Sequence, residues 1–139
     1  MTMYEHIAVA VDGSENAMRA VRNAVELARV NADAHVSVLS VIAIDVYSDM
    51  VYDPVEAHGD TQKELVEPAI AAFREAGVSP ELVLLHGRPA DEIIHWVADN
   101  DVDVLVVGSR GLNSLQEFAI GSVSHKVMKH VKCPVLVVK

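Results

Sequence analysis

Five short apolar runs recur along the chain: HIAVAVD (6–12), HVSVLSVIAI (35–44), ELVLLH (81–86), VDVLVVG (102–108) and PVLVVK (134–139). Each is rich in Val, Ile or Leu and short enough for a single strand. None shows the clean polar–apolar alternation of a sheet with one wet face. Runs of this kind suit parallel strands covered on both faces. That requirement leaves few folds open, because parallel neighbours must be joined by crossovers, usually helices.

The segments between the runs have helical spacing. SENAMRAVRNAVELARV (14–30) sets Ala17, Ala20, Val21, Ala24, Val25 and Ala28 on one stripe. Ser14 is the expected N-cap, with Glu15 in the first turn. TQKELVEPAIAAFREAG (61–77) repeats the pattern, with Gly77 as its stop. Pro68 inside it is expected to bend the helix or move its start. PADEIIHWVADN (89–100) opens on Pro89 and two acids, and SVSHKVMKHV (122–131) is the fourth helix. Residues 45–60 lack periodicity and read as a long loop, a candidate lid over the pocket. The order is βαβαβαβαβ, which predicts one α/β domain over 1–139 with helices on both faces of the sheet.

Composition supports a packed core without staples. The chain is 51% hydrophobic but only 4% aromatic, so the core is aliphatic. Cys133 is the single cysteine, which precludes an internal disulfide and fits a reducing compartment. The opening MTMYEHIAVAVD lacks the features of a signal peptide, and no apolar run nears the ~20 residues of a membrane span. A cytoplasmic protein with no membrane contact is expected. The net charge of −9 argues against non-specific nucleic-acid binding. The charge is uneven, however. Residues 108–139 hold five basic groups and one acid, a net of +4, whereas 1–107 net −13. Lys129 and Lys132 in that basic part either serve a ligand or complement the end of a helix.

In open α/β sheets, ligands bind beyond the carboxyl ends of strands, where the strand order reverses. Two strand ends carry unusual residues: AVDGS (10–14), and the glycine-rich stretch from Gly108 to Ser124. A Walker-type phosphate loop is absent, and VDGSEN does not match the dinucleotide fingerprint. The seven histidines show no ligand spacing, so no metal site built by protein side chains alone is expected. What remains is the spacing G-x2-G-x9-G-S, formed by Gly108, Gly111, Gly121 and Ser122. Gly108 would let the chain turn off its strand and let a ligand approach the backbone closely. Gly111 would give the same freedom three residues on. Gly121 and Ser122 start a helix, where the N–H groups of Ser122, Val123 and Ser124 can face an anion. The Ser122 and Ser124 hydroxyls would add to that cradle. Arg110 either reaches a phosphate or is solvated.

With DVLVVG before it and CPVLVV after it, this motif closely resembles the universal stress protein family in its ATP-binding branch. The resemblance covers the whole chain, including GRPADEII (87–94) and Asp12. It implies strand order 3-2-1-4-5, which sets strands 1 and 4 side by side. It also implies that Asp12 bonds the ribose or helps hold a nucleotide-borne Mg2+. The backbone of Val41 would read the adenine edge, with Ala10 and Val11 lining the pocket. Two departures stand out. Asn113 and Ser114 occupy a place where relatives often have another glycine, and His125 stands where many carry an acid. The last strand would be an exposed apolar edge, a pairing liability that a two-fold dimer through 134–139 would relieve.

Two function classes follow. One is an ATP-dependent regulatory module in a stress response, acting on an unidentified protein partner. The other is an enzyme that hydrolyses ATP slowly or transfers an adenylyl group. Efficient hydrolysis needs a positioned base and stabilised γ-phosphate charge. The only acid between the glycines is Glu117, with no evident aim. A receiver-type phosphorylation domain would need an acidic pair where AVDGS has a single Asp.

Overall fold

The chain was studied as a computed structural model, which describes residues 4–43, 55–110 and 120–139. Its elements are β1 (His6–Ala10), α1 (Glu15–Val30), β2 (His35–Ala43), α2 (Val55–Glu75), β3 (Glu81–Gly87), α3 (Pro89–Asp99), β4 (Val104–Gly108), α4 (Ser122–His130) and β5 (Val135–Val138). All strand pairs are parallel and the order is β3-β2-β1-β4-β5, as the resemblance implies.

Side chains alternate between the two faces of the sheet, and each face has its own apolar layer. Ile7, Val9, Val36, Val38, Val104 and Val106 face α1 and α2, where Phe73 and Val66 are fully buried. Ala8, Leu39, Leu105 and Val107 face the opposite way, toward Ile93 and Val97 of α3 and Val127 of α4. The central strands have almost no exposed residue, whereas β3 and β5 at the edges are half-buried. Leu136 on β5 is 37% exposed. This is the burial that near-continuous apolar runs predict.

Helix ends follow local chemistry. Ser14 caps α1, its Oγ accepting from the Ala17 N–H, and all six expected stripe positions are buried. Gly77 ends α2 at φ +80°. Its N–H bonds to the Arg74 carbonyl and the Val78 N–H to that of Phe73, a Schellman closure that needs a left-handed residue.

Two expectations about α2 are corrected. The helix begins at Val55, not at 61, so the expected loop does not reach residue 60. Gly59 and Asp60 suggest a break, but one helical glycine costs only about 1 kcal/mol against alanine. Nor does Pro68 set the start, because α2 runs through it. Pro68 and Glu64, whose carbonyl loses its helical partner there, are both exposed, so water can satisfy that carbonyl. The rest of the candidate lid, 45–54, lies outside the described residues.

Candidate functional site

β1 and β4 lie side by side, and their following helices leave to opposite faces of the sheet. This is the switch point, where a crevice opens beyond the strand ends.

β1 contributes its end and the turn into α1. Ala10, the last strand residue, is half-buried; Val11 beyond it is buried, and its N–H bonds to the Leu39 carbonyl at 2.9 Å. Asp12 is half-buried, and its Oδ1 accepts from the Ser14 N–H at 2.9 Å. The carboxylate therefore shapes the turn before α1.

Where β1 ends, β2 continues. Peptide groups along a parallel strand face alternate neighbours. Leu39 faces β1, so Val41 faces the same side, where β1 no longer runs. The Val41 peptide thus offers one donor and one acceptor to the crevice, while its half-buried side chain packs toward the α3–α4 layer. One contact approaches this carbonyl: Nε2 of Gln62, 3.4 Å away.

Gly108 ends β4 and is also a packing position. A Cβ built there would lie 2.8 Å from both the backbone C and O of Asn16. The first turn of α1 crosses so close to the end of β4 that only glycine fits. Gly108 also lacks a positive φ, so the turn itself does not demand glycine. Helix–strand packing alone therefore asks for glycine at this position.

The strand end and the start of α4 are stitched together. Ser109 donates its N–H to the Val138 carbonyl at 2.7 Å, and its own carbonyl accepts from the Gly121 N–H at 2.6 Å. Ser124 Oγ donates to the Gly108 carbonyl at 2.5 Å. Ser124 is buried, and its hydroxyl proton is already engaged. In this structure that proton goes to the Gly108 carbonyl, while the Ser122 hydroxyl at the same helix start is exposed. Gly121 is the N-cap of α4 at φ −62° and ψ 156°, without a side-chain cap bond or an acid in the first turn. The N–H groups of Ser122, Val123 and Ser124 fall among the first-turn donors that a helix cannot satisfy internally. Arg110 is half-buried beside the strand end. Gly111, Asn113, Ser114 and Glu117 lie outside the described residues.

Behind this start, Lys126 Nζ meets Asp91 Oδ1 at 2.6 Å and ties α4 to α3. That bond holds the Asp91 carboxyl below the ordinary carboxylate range. Among the described residues, no group of three His, Cys, Asp or Glu side chains could hold a metal ion, and no helix is long and apolar enough to cross a membrane.

The sequence reading misses three contributors: Asn16, Ser40 and Gln62. A buried serine within an apolar strand is the signal that a polar partner exists, but it does not name the partner.

The model of the universal stress protein family matches residues 3–139. Universal stress protein YxiE of Bacillus subtilis is 36% identical over 149 residues, covering 99% of this chain and 100% of the relative. The solved universal stress protein from Archaeoglobus fulgidus in complex with dAMP superposes with a TM-score of 0.71 at 28% identity, covering 99% and 100% of the two chains. A universal stress protein family protein from Arabidopsis thaliana with AMP bound gives 0.70 at 29% identity, covering 96% and 90%. With the family's strand order and motif spacing present along the same length, the chain belongs to the universal stress protein family.

Proposed function

We propose that the chain is a single-domain, nucleotide-dependent regulatory module of a stress response. It takes an adenine nucleotide at the switch point, ATP with Mg2+ foremost, and the nucleotide alters its dealings with a protein partner. One observation carries the reading: the open peptide edge at Val41 and the uncapped start of α4 lie at the carboxyl ends of one sheet. A peptide N–H beside a C=O complements adenine, which offers a ring acceptor beside an exocyclic donor. A helix start suits phosphates, through free N–H groups and the helix dipole. Two relatives with AMP or dAMP bound support an adenine ligand.

In this reading Ala10 and Val11 line the base and ribose pocket. Asp12 accepts from ribose hydroxyls or ligates the nucleotide's Mg2+, for which a carboxylate oxygen is the right donor class. Gly108 marks the floor of the site, and Gly111 lies beside the phosphates. Gly121, Ser122, Val123 and the Ser124 N–H hold the phosphates, with Arg110 as a further cation. Any turnover is slow in this reading, since the sequence offers no evident base for the attacking water. The half-exposed β5 edge, with Leu136 outward, suits a two-fold dimer through 134–139.

The test is direct. Protein purified from cells is denatured and its released nucleotide identified by chromatography; nucleotide-free protein is then titrated with Mg-ATP. Adenine nucleotide in the first step, or uptake in the second, is expected for the wild type, and Gly121→Val is expected to weaken both. A wild type that carries and takes up no adenine nucleotide refutes the proposal.

A further inference from the structure

Ser40 is fully buried in an otherwise apolar stretch of β2, on the face that α2 covers. Gln62 of α2 supplies its partner, Nε2 lying 2.5 Å from Ser40 Oγ. The same nitrogen approaches the Val41 carbonyl at 3.4 Å. A carbonyl only accepts, so the orientation that makes a bond here is the one with the amide nitrogen toward it. Its two N–H groups are then directed at β2. The planar amide sends Oε1 in a different direction, and no group among the described residues donates to it.

We infer that Gln62 is a specificity-determining residue of the nucleotide site, reading the exocyclic amino group of the base together with Val41. The inference rests on the adenine reading above. A 6-amino purine carries two N–H groups on that nitrogen. The Val41 carbonyl takes one, and a second acceptor is needed for the other. Gln62 Oε1 is an acceptor anchored next to that carbonyl by a bond to a buried hydroxyl. A 6-oxo purine presents an oxygen there instead, against two acceptors and no donor. The residue therefore acts on base choice and leaves the hold on the phosphates untouched.

Affinities for ATP and inosine triphosphate, measured calorimetrically with Mg2+, test this on wild type, Gln62→Leu and Gln62→Glu. The preference for ATP is expected to fall about tenfold in Gln62→Leu, the effect of one lost hydrogen bond in a sheltered site. Gln62→Glu keeps an acceptor for the amino group but sets an oxygen against the Val41 carbonyl, so it is expected to retain only part of the preference. Gln62→Met, of similar length and bulk, replaces the leucine variant if the latter fails to fold. A preference unchanged in Gln62→Leu overturns the inference, as does an equal loss for both nucleotides, which would mark a merely structural residue. A wild type that binds both equally also overturns it. A wild type that binds neither removes the adenine reading itself, and this inference with it.

Discussion

Gly108→Ala separates packing from ligand binding. The added methyl would lie 2.8 Å from two backbone atoms of Asn16, closer than real contacts allow. Those atoms belong to the first turn of α1, so a side-chain rotation cannot relieve the clash. Overpacking of this kind costs about 1–3 kcal/mol. Alanine stiffens the unfolded chain relative to glycine and offsets about 0.4–1 kcal/mol of that. The net loss is about 1–2 kcal/mol, or roughly 3–8 °C in Tm for a chain of this size. Urea and thermal unfolding of nucleotide-free protein measure it. Equal stability of variant and wild type without nucleotide, together with weakened ATP binding, would refute the packing argument. The glycine would then be there for the ligand.

Three further outcomes are expected. Ser124→Ala leaves the buried Gly108 carbonyl without its donor and costs about 1–3 kcal/mol in urea unfolding. Asp91, held low by Lys126, contributes stability above its unfolded value near 3.8 and loses it as pH falls through the lower folded value. Asp91→Asn should therefore flatten the acid limb of a Tm-against-pH curve. Burial pushes the Cys133 thiol above 9.0, so the neutral form is favoured in the fold and its contribution fades as pH rises through the raised value. At neutral pH, a thiol reagent should label Cys133 more slowly in the native protein than after denaturation.

Much of the fold is legible because it is written in local periods. The six buried positions of α1 follow a helical stripe, and Ser14 announces its cap with a short polar side chain in the right place. Apolar runs such as VLVVG mark β4 as buried on both faces, and the structure buries every residue of it. The start of α2 escapes that logic, because Gly59 looks like a breaker and costs too little to be one.

The site is legible only in part, because its contacts join residues far apart in sequence. Gly108 stands out as a required glycine, but nothing near it names Asn16 as the cause. Ser124 reads as a helix start, while the engagement of its hydroxyl by a carbonyl sixteen residues earlier is a product of the tertiary fold. Gln62 has no local signal at all, since its partners Ser40 and Val41 sit on a strand more than twenty residues back. The order of strands, by contrast, follows from the family resemblance and needs no contact information.

The central claim is that one adenine nucleotide spans the switch point, with its base at Val41 and its phosphates at the start of α4. An amide-resolved NMR titration of 15N-labelled protein with Mg-ATP tests it most directly. Saturable shifts are expected at Val41 and at Ser122, Val123 and Ser124, all with one dissociation constant. Saturation that leaves Val41 and the α4 amides unmoved, with shifts confined to other parts of the chain, would contradict the account.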